Sequence, residues 1–346
     1  MRISYWLVLL SMVGCTDPGT VNIDPKPQPT GTNNPLSTTS STTSTFTTST
    51  TTSTKPTTPE YDCNVIPTIP VGYHIVGEFS DSEDFDFNGA GNAVAMYSGN
   101  LTERSYDGLT SNVLAAGVVS GFGQAAGTRT LSTGDYVVAD VGDGALDFID
   151  GTTGGSVPLS TNFSYPNGVE VDSDDNVYVA DQTLGKVVRI NAYDTSDFEV
   201  ITSSITGPNG VILSPDGQTL YVGTFADFPS NKVWAIDRDP AGGWMPARVI
   251  YESGGGDNGY DGINVDICGN VYFTEWIVGR VFRLLADGSS GKELVAELPS
   301  SWIPNLRWGH DIGGWERDVL YVSDRDQGRI FGLEMGIPGK RHVVLP

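Results

Sequence analysis

One strand–turn–strand segment recurs along the chain, and this repeat constrains the fold more than any other feature. Its clearest copy, residues 166–181 (PNGVEVDSDDNVYVAD), has an alternating run, a turn cluster at 172–176 and a second β-rich run at 177–180. Five other segments fit the same frame. Three fit without gaps, namely residues 82–96, 127–140 and 261–275. Two have a longer first turn, namely residues 208–224 and 304–324.

A third β-rich run follows most of these hairpins, and its starting residues are Gly144, Gly185, Asn231, Gly279 and Gly328. The copies follow one another at intervals of roughly 40–50 residues, which is typical of four-stranded propeller blades. Closure of such blades into a ring protects the sheet edges. The sequence therefore predicts an all-β domain over residues 61–346, folded as a six-bladed β-propeller.

One position of the repeat is rich in oxygen-bearing side chains. It is the residue just before the first glycine, or the equivalent residue where that glycine is missing. In chain order it holds Glu83, Ala126, Asn167, Asn209, Asp261 and Asn305. The innermost strands of a propeller line one central channel, so residues at one repeat offset are expected at one height. A single Pro-Asn-Gly is a common turn sequence, but registration in one column favours ligands.

The composition of this column indicates the metal. Two carboxylates and several amide oxygens, with no His or Cys, are typical of a site for a hard cation, and the ligand number suits Ca²⁺. We predict one Ca²⁺ in the channel, with Glu83, Asn167, Asn209 and Asp261 as ligands, and Asn305 as an additional pocket residue.

Strand direction predicts the walls of a pocket above this metal. The turns between second and third strands should lie at the same end of the channel as the column. They supply apolar and polar candidates for a small-ligand site, namely Gln182, Phe225, Phe228, Trp276 and Arg325. His310 falls in a turn at the opposite end, which argues against a catalytic role.

The first 60 residues are predicted to be a targeting segment and a tether. Residues 1–14 have the length and apolar run of an export signal, and Met12-Val13-Gly14-Cys15 resembles the bacterial lipoprotein cleavage box. This resemblance implies lipidation of Cys15 and an extracytoplasmic, membrane-anchored protein, in the periplasm or at the cell surface. An ordinary secretory signal is the alternative. Residues 15–60, rich in Ser, Thr and Pro, are expected to form a disordered tether.

Charge and cysteine content bound the partners and the compartment. The formal net charge of −23 argues against nucleic acid and anionic membrane surfaces as partners. Cys63 precedes a predicted strand that runs toward Glu83, and Cys268 lies in the first turn of the fifth repeat, at the end opposite the column. We predict a Cys63–Cys268 disulfide, with two free thiols as the alternative.

Over roughly residues 72–335 the repeats resemble the gluconolactonase and senescence-marker-protein (regucalcin) family, and more widely the paraoxonases and diisopropylfluorophosphatase. The resemblance rests on SEDFDF at Glu83, PNGVEV at Asn167, PNGVIL at Asn209 and YDGINVD at Asp261. It implies that these residues bind a catalytic calcium, and that Asp84 contacts a second, structural ion.

Histidines of the wider family are replaced in this chain. Ala126 replaces the histidine of the second blade in paraoxonases, and Arg307 and Arg325 replace those of the sixth blade in the phosphatase. A mechanism that depends on histidine therefore does not carry over.

We therefore expect a monomeric, calcium-dependent hydrolase that acts on a lactone or related ester. Asp261 and Glu83 are the predicted catalytic residues: Asp261 as general base or nucleophile, and Glu83 as a source of charge. Arg325 is expected to bind an anionic substituent of the substrate. The alternative is a non-catalytic propeller that binds a protein or glycan partner, with calcium structural or absent.

Overall fold

The computed structural model of the protein describes residues 61–78, 82–120, 125–225, 230–255 and 257–341. The predicted signal, the Cys15 lipidation site, the tether and Phe228 lie outside the described residues. In the part that is described, the regular secondary structure consists of β-strands apart from a single 3-10 turn at Trp276–Val278. The described part contains no helix that is long and apolar enough to cross a membrane.

The strands form six four-stranded antiparallel sheets, and this confirms the predicted six-bladed β-propeller. Blade 1 contains β2 (Phe85–Phe87), β3 (Ala93–Tyr97), β4 (Asn100–Arg104) and β5 (Ser111–Ala115). Blade 2 contains β6 (Ala125–Thr130), β7 (Tyr136–Asp140), β8 (Ala145–Ile149) and β9 (Ser156–Ser160). Blade 3 contains β10 (Pro166–Val171), β11 (Asn176–Asp181), β12 (Lys186–Asn191) and β13 (Phe198–Thr202).

The second half of the ring repeats this order. Blade 4 contains β14 (Pro208–Leu213), β15 (Thr219–Thr224), β16 (Lys232–Asp237) and β17 (Arg248–Glu252). Blade 5 contains β18 (Tyr260–Val265), β19 (Val271–Glu275), β20 (Arg280–Leu284) and β21 (Glu293–Glu297). Blade 6 contains β22 (Leu306–Trp308), β23 (Val319–Asp324) and β24 (Arg329–Glu334), and its fourth strand is β1 (Tyr73–Glu78) from the start of the domain.

The hydrophobic core is divided into layers between neighbouring blades. Each strand alternates its side chains between two faces, and each face packs on the next blade. The layer between blades 6 and 1, for example, packs Phe85 and Phe87 against Trp315, Tyr321 and neighbouring residues. Five more buried clusters join the other pairs of blades, so the ring is closed by apolar packing as well as by strand pairing.

Two long-range links hold the beginning of the domain in place. Strand β1 pairs with β24 from Tyr73 opposite Leu333 to Glu78 opposite Arg329, which hydrogen-bonds the first strand of the domain into the last blade. A disulfide joins Cys63 to Cys268, with Cα atoms 5.5 Å apart. The cysteine pairing predicted from the sequence is thus present in the structure.

Candidate metal and substrate site

A β-bulge in the inner strand of blades 2 to 5 positions the predicted metal ligands. In blade 3, Pro166 pairs with Asp181 and Val169 with Val179, so Asn167 and Gly168 together lie opposite one residue of β11. The same register shift occurs in the inner strands of blades 2, 4 and 5. The bulged residues are Ala126, Asn167, Asn209 and Asp261, four members of the predicted column.

The glycine that follows each bulged residue explains how the column is packed. A Cβ atom on Gly168 would lie 2.1 Å from the backbone oxygen of Asn209, and one on Gly210 would lie 2.4 Å from that of Asp261. No other residue fits such a contact with backbone. Each glycine therefore lets the next blade approach, and this brings Asn167, Asn209 and Asp261 side by side around the channel axis.

Among the described residues, blades 1 and 6 lack both the glycine and the bulge. Asn305, in blade 6, therefore does not occupy the repeat position that the sequence comparison gave it. Its Oδ1 accepts a hydrogen bond from Leu306 N at 2.9 Å, as Oδ1 of Asp84 does from Phe85 N at 2.8 Å. Asn305 therefore corresponds to Asp84, one residue away from the repeat position of Glu83. It still adjoins the ring, because a Cβ on Gly262 would lie 2.6 Å from its Oδ1.

Asp261 is a buried carboxylate without a countercharge among the residues that the structure describes. Its exposed fraction is 4 %, and no lysine or arginine of the described chain lies within ion-pair distance of it. Burial raises the pKa of Asp261 well above its ordinary value, the negative charge of Asp84 raises it further, and a hydrogen bond from the Asn209 side chain opposes both effects. A carboxylate in this state requires either a proton or a cation.

The donor chemistry of the ring fits calcium. Its candidate ligands are carboxylate and amide oxygens, and a divalent cation would supply the charge that Asp261 lacks. In the described chain there is no group of three or more His, Cys, Asp and Glu side chains arranged for a metal ion. The predicted ligand set contains only two such residues, Glu83 and Asp261, and its other members are asparagines.

Glu83 lies at the same end of the channel, where its partner is Arg325. The carboxylate Oε2 is in direct contact with guanidinium Nη1, and both side chains are largely buried. The guanidinium carbon is 4.5 Å from the centre of the Trp302 ring. The predicted role of Arg325 in binding an anionic group of the substrate stays a prediction, and here the guanidinium pairs with Glu83.

The predicted pocket walls lie at this upper end, defined as the end of the channel that carries the bulged residues. The backbone N–H groups of the four wall residues donate to carbonyls of the loops that lead into the inner strands; these residues are Gln182, Phe225, Trp276 and Arg325. Phe225 and Trp276 have ring centres 5.2 Å apart. The wall is therefore an aromatic ledge beside the ring of oxygen ligands.

Two residues of this end escaped the sequence reasoning. Trp302 extends the aromatic ledge, with its ring centre 5.4 Å from that of Trp276. Tyr165 directly precedes Pro166 and Asn167; it is partly exposed, and partial desolvation followed by the charge of Asp261 raises its pKa. Their position in the sequence could have revealed them, because both residues come shortly before an inner strand.

The lower half of the channel contains a cluster of buried charges, which we call the lower ion cluster. Its members are Asp84, Asp86, Arg129, Glu170, Arg307 and Lys340, all at most 8 % exposed. Arg129 and Arg307 both contact Asp84 Oδ2, the latter at 3.5 Å. The same two arginines lie 3.6 and 3.9 Å from Glu170 Oε2.

These contacts bear on the predicted second ion. Oδ1 of Asp84 accepts from Phe85 N, and Oδ2 accepts from Thr128 N at 3.2 Å in addition to its arginine contacts. Protein donors thus contact both oxygens and two arginines lie beside Oδ2, although burial still raises the pKa of Asp84 to about 6. The second ion at Asp84 stays a prediction.

Lys340, from the segment that follows the last blade, belongs to the lower ion cluster. Lys340 reaches in from below, contacts Glu170 Oε1 and donates a hydrogen bond to Leu213 O at 3.1 Å. His310 also lies away from the upper end, packed edge-on against Phe87 with ring centres 4.7 Å apart. This matches its predicted place at the opposite end from the column.

Comparisons with known proteins agree with this architecture. Residues 180–324 match the model of the SMP-30/Gluconolactonase/LRE-like region, which confirms the resemblance found in the sequence. No curated protein sequence matches the chain.

Among solved structures, a gluconolactonase from Xanthomonas campestris is 19% identical with a TM-score of 0.60, over 77% of this chain and 89% of that one. A calcium-binding regucalcin from Agrobacterium tumefaciens is 18% identical with a TM-score of 0.61, over 80% of this chain and 98% of that one. A luciferin-regenerating enzyme is 14% identical with a TM-score of 0.61, over 80% and 99%. These similarities show the fold.

Proposed function

We propose that this propeller, in which residues 180–324 match the SMP-30/Gluconolactonase/LRE-like region, is a calcium-dependent hydrolase of a lactone or related ester. The observation that carries the proposal is Asp261, a buried carboxylate with no cation within reach in the described chain, set in a ring of oxygen ligands below an aromatic ledge. A scaffold that only binds a partner does not require an uncompensated carboxylate in its channel.

The metal would be held by the side-chain oxygens of Glu83, Asn167, Asn209 and Asp261. When bound, calcium supplies Lewis acidity toward the substrate carbonyl. The calcium-binding regucalcin among the structural neighbours agrees with this assignment, as does the donor chemistry of the ring.

The remaining chemistry belongs to the chain. Asp261 would act as general base toward water, or as nucleophile toward the substrate carbonyl. Asn209 holds its carboxylate in place through their hydrogen bond. Phe225, Trp276 and Trp302 form an apolar wall that orients the substrate and excludes water from one side.

We further propose that the protein works outside the cytoplasm, as a monomer anchored to a bacterial membrane only through lipid on Cys15. The Cys63–Cys268 disulfide supports this compartment, because such bonds persist in oxidising surroundings. Residues 15–60 would then act as the tether between the anchor and the propeller.

Calcium titration tests the proposed function. The purified full-length chain is titrated with CaCl₂ by calorimetry and melted with and without the ion, beside a Glu83→Gln/Asp261→Asn double variant. We expect about one ion per chain and, at a hundredfold excess over Kd, a stabilisation of about 2.7 kcal/mol that the double variant lacks. A lactone and ester screen then follows.

A matched control separates site binding from loss of negative charge. Asp194→Asn/Asp287→Asn removes two carboxylates from exposed turns, and it should bind calcium as the parent does. If the parent does not bind calcium, or if the site variant binds it equally well, the metal site is wrong. The search then moves to protein and glycan partners.

A further inference from the structure

Arg325 differs in charge from its counterparts around the ring. The residue that follows the second strand in blades 2 to 5 is uncharged; in order these residues are Val141, Gln182, Phe225 and Trp276. In blade 6 the same position is an arginine. A cation has therefore been placed at the upper end of the channel, beside the predicted metal ligands.

The surroundings of Arg325 hold its guanidinium on Glu83. Its backbone N–H donates to Trp302 O at 3.0 Å, and in the same turn Asp326 Oδ2 accepts a hydrogen bond from Ser301 Oγ at 3.1 Å. These bonds fix the turn against the loop before β22. The guanidinium then lies against the Trp302 ring and in contact with the Glu83 carboxylate.

We propose that Arg325 is an internal competitor of the metal, a cation that neutralises Glu83 in the metal-free protein and is displaced when a divalent ion binds. The inference rests on the proposed function, since it assumes that Glu83 is a ligand. Two cations cannot share one largely buried carboxylate without strong repulsion. We therefore expect binding of the metal to displace Arg325 from Glu83.

This competition sets the affinity of the site. Part of the binding free energy is used to break an existing ion pair, so Arg325 weakens calcium binding. Extracellular calcium modules work with dissociation constants of about 10⁻⁴–10⁻³ M, and a built-in competitor shifts the site toward that range. The displaced guanidinium also changes the electrostatic environment of the Trp302 indole, which makes tryptophan fluorescence a direct reporter.

The test compares three arginine variants in the full-length chain, titrated with CaCl₂ alone. Arg325→Gln removes the competing charge and should bind calcium at least about tenfold more tightly than the parent. Arg325→Lys retains the charge and should stay close to the parent. Arg329→Gln is the matched control, because Arg329 also pairs with a carboxylate, Asp324, and stacks on an aromatic ring, Phe331.

Fluorescence supplies a readout that is independent of activity. Calcium should change the tryptophan emission of the parent, and this change should be lost in Arg325→Gln and strongly reduced in Trp302→Phe. Equal calcium affinity in the parent and Arg325→Gln, or weaker binding by the variant, overturns the inference and leaves the proposed function intact. Absence of calcium binding in both overturns the two together.

Discussion

The two halves of the central channel handle buried charge in opposite ways. In the lower half, Arg129, Arg307 and Lys340 face as many carboxylates, and each carboxylate has a cation nearby. In the upper half, Asp261 has no cation of the described chain within reach, and Glu83 has a single one, Arg325. The lower half thus contains its own countercharges, whereas Asp261 in the upper half has none among the described residues.

The difference separates structural from functional charge. A buried ion cluster is destabilised when one member is removed, because the charges that remain are desolvated and no longer balanced. A lone buried carboxylate, by contrast, destabilises the fold until a ligand neutralises it. Substitutions that remove one charge should therefore have opposite effects on stability in the two halves.

The largest effect is expected in the lower ion cluster. Arg307 is fully buried, contacts Asp84 and Glu170, and donates from Nε to Phe85 O at 3.2 Å. Arg307→Met should lower the free energy of unfolding by about 3–5 kcal/mol, measured by urea denaturation. Arg248→Met, which removes an exposed arginine paired with Asp237, should cost no more than about 1 kcal/mol. Similar losses in both variants would contradict this view of the cluster.

Asp261→Asn should give the opposite result in the upper half. The variant keeps the shape and hydrogen-bonding capacity of the side chain but removes an uncompensated charge, so without calcium it should be at least as stable as the parent. Turnover of the substrate found in the screen should fall by about a hundredfold or more. Melting without calcium and steady-state kinetics check both halves of the prediction. An unchanged rate would remove Asp261 from the mechanism.

The sequence predicted the fold and most of the ring because both depend on a local repeat. Each Asn-Gly or Asp-Gly pair in blades 3 to 5 specifies its own bulge, and the bulge alone puts Asn167, Asn209 and Asp261 at one height. Asn305 was placed one residue off because the segment around it has the Pro-Asn pair without the glycine. Its apparent match in the sequence hid a change of register.

The lower ion cluster was not predictable in the same way. Its charges occupy different repeat positions, so no column of the repeat contains them. Lys340 meets Glu170 from 170 residues further along the chain, through a C-terminal segment that follows the last blade. Such contacts depend on how the closed ring meets the chain end. Neither periodicity nor composition records that arrangement.

Lys340 tests whether the lower ion cluster is separable from the site. Lys340→Met removes the contact with Glu170 Oε1, but Arg129 and Arg307 remain near the other oxygen. The loss of stability should therefore be smaller than for Arg307, about 1–3 kcal/mol. Calcium affinity, measured by the same titration, should be unchanged. A large loss of calcium affinity would show that the two halves are coupled.

The smallest effect concerns Asp147, a buried carboxylate away from the channel ring. Burial, together with Asp140 and Asp143, raises its pKa to about 6 from an ordinary 3.8. Because the folded state disfavours the ionised form of Asp147, this residue lowers the free energy of unfolding by its full amount above pH 6. The loss disappears as the pH falls toward 4. Asp147→Asn should therefore raise the melting temperature by about 2 °C at pH 7.5, with or without calcium, and by nothing at pH 4.

Asp181→Asn is the contrasting control for Asp147. The carboxylate of Asp181 accepts hydrogen bonds from Ser164 N and Tyr165 N and lies 3.9 Å from Lys186. In blade 2 the residue equivalent to Lys186 is Ala145, which carries no charge. This variant should be destabilised at neutral pH. If Asp147→Asn gains stability only when calcium is absent, Asp147 takes part in metal binding. The contrast between paired and unpaired carboxylates would then extend beyond the channel into blade 2.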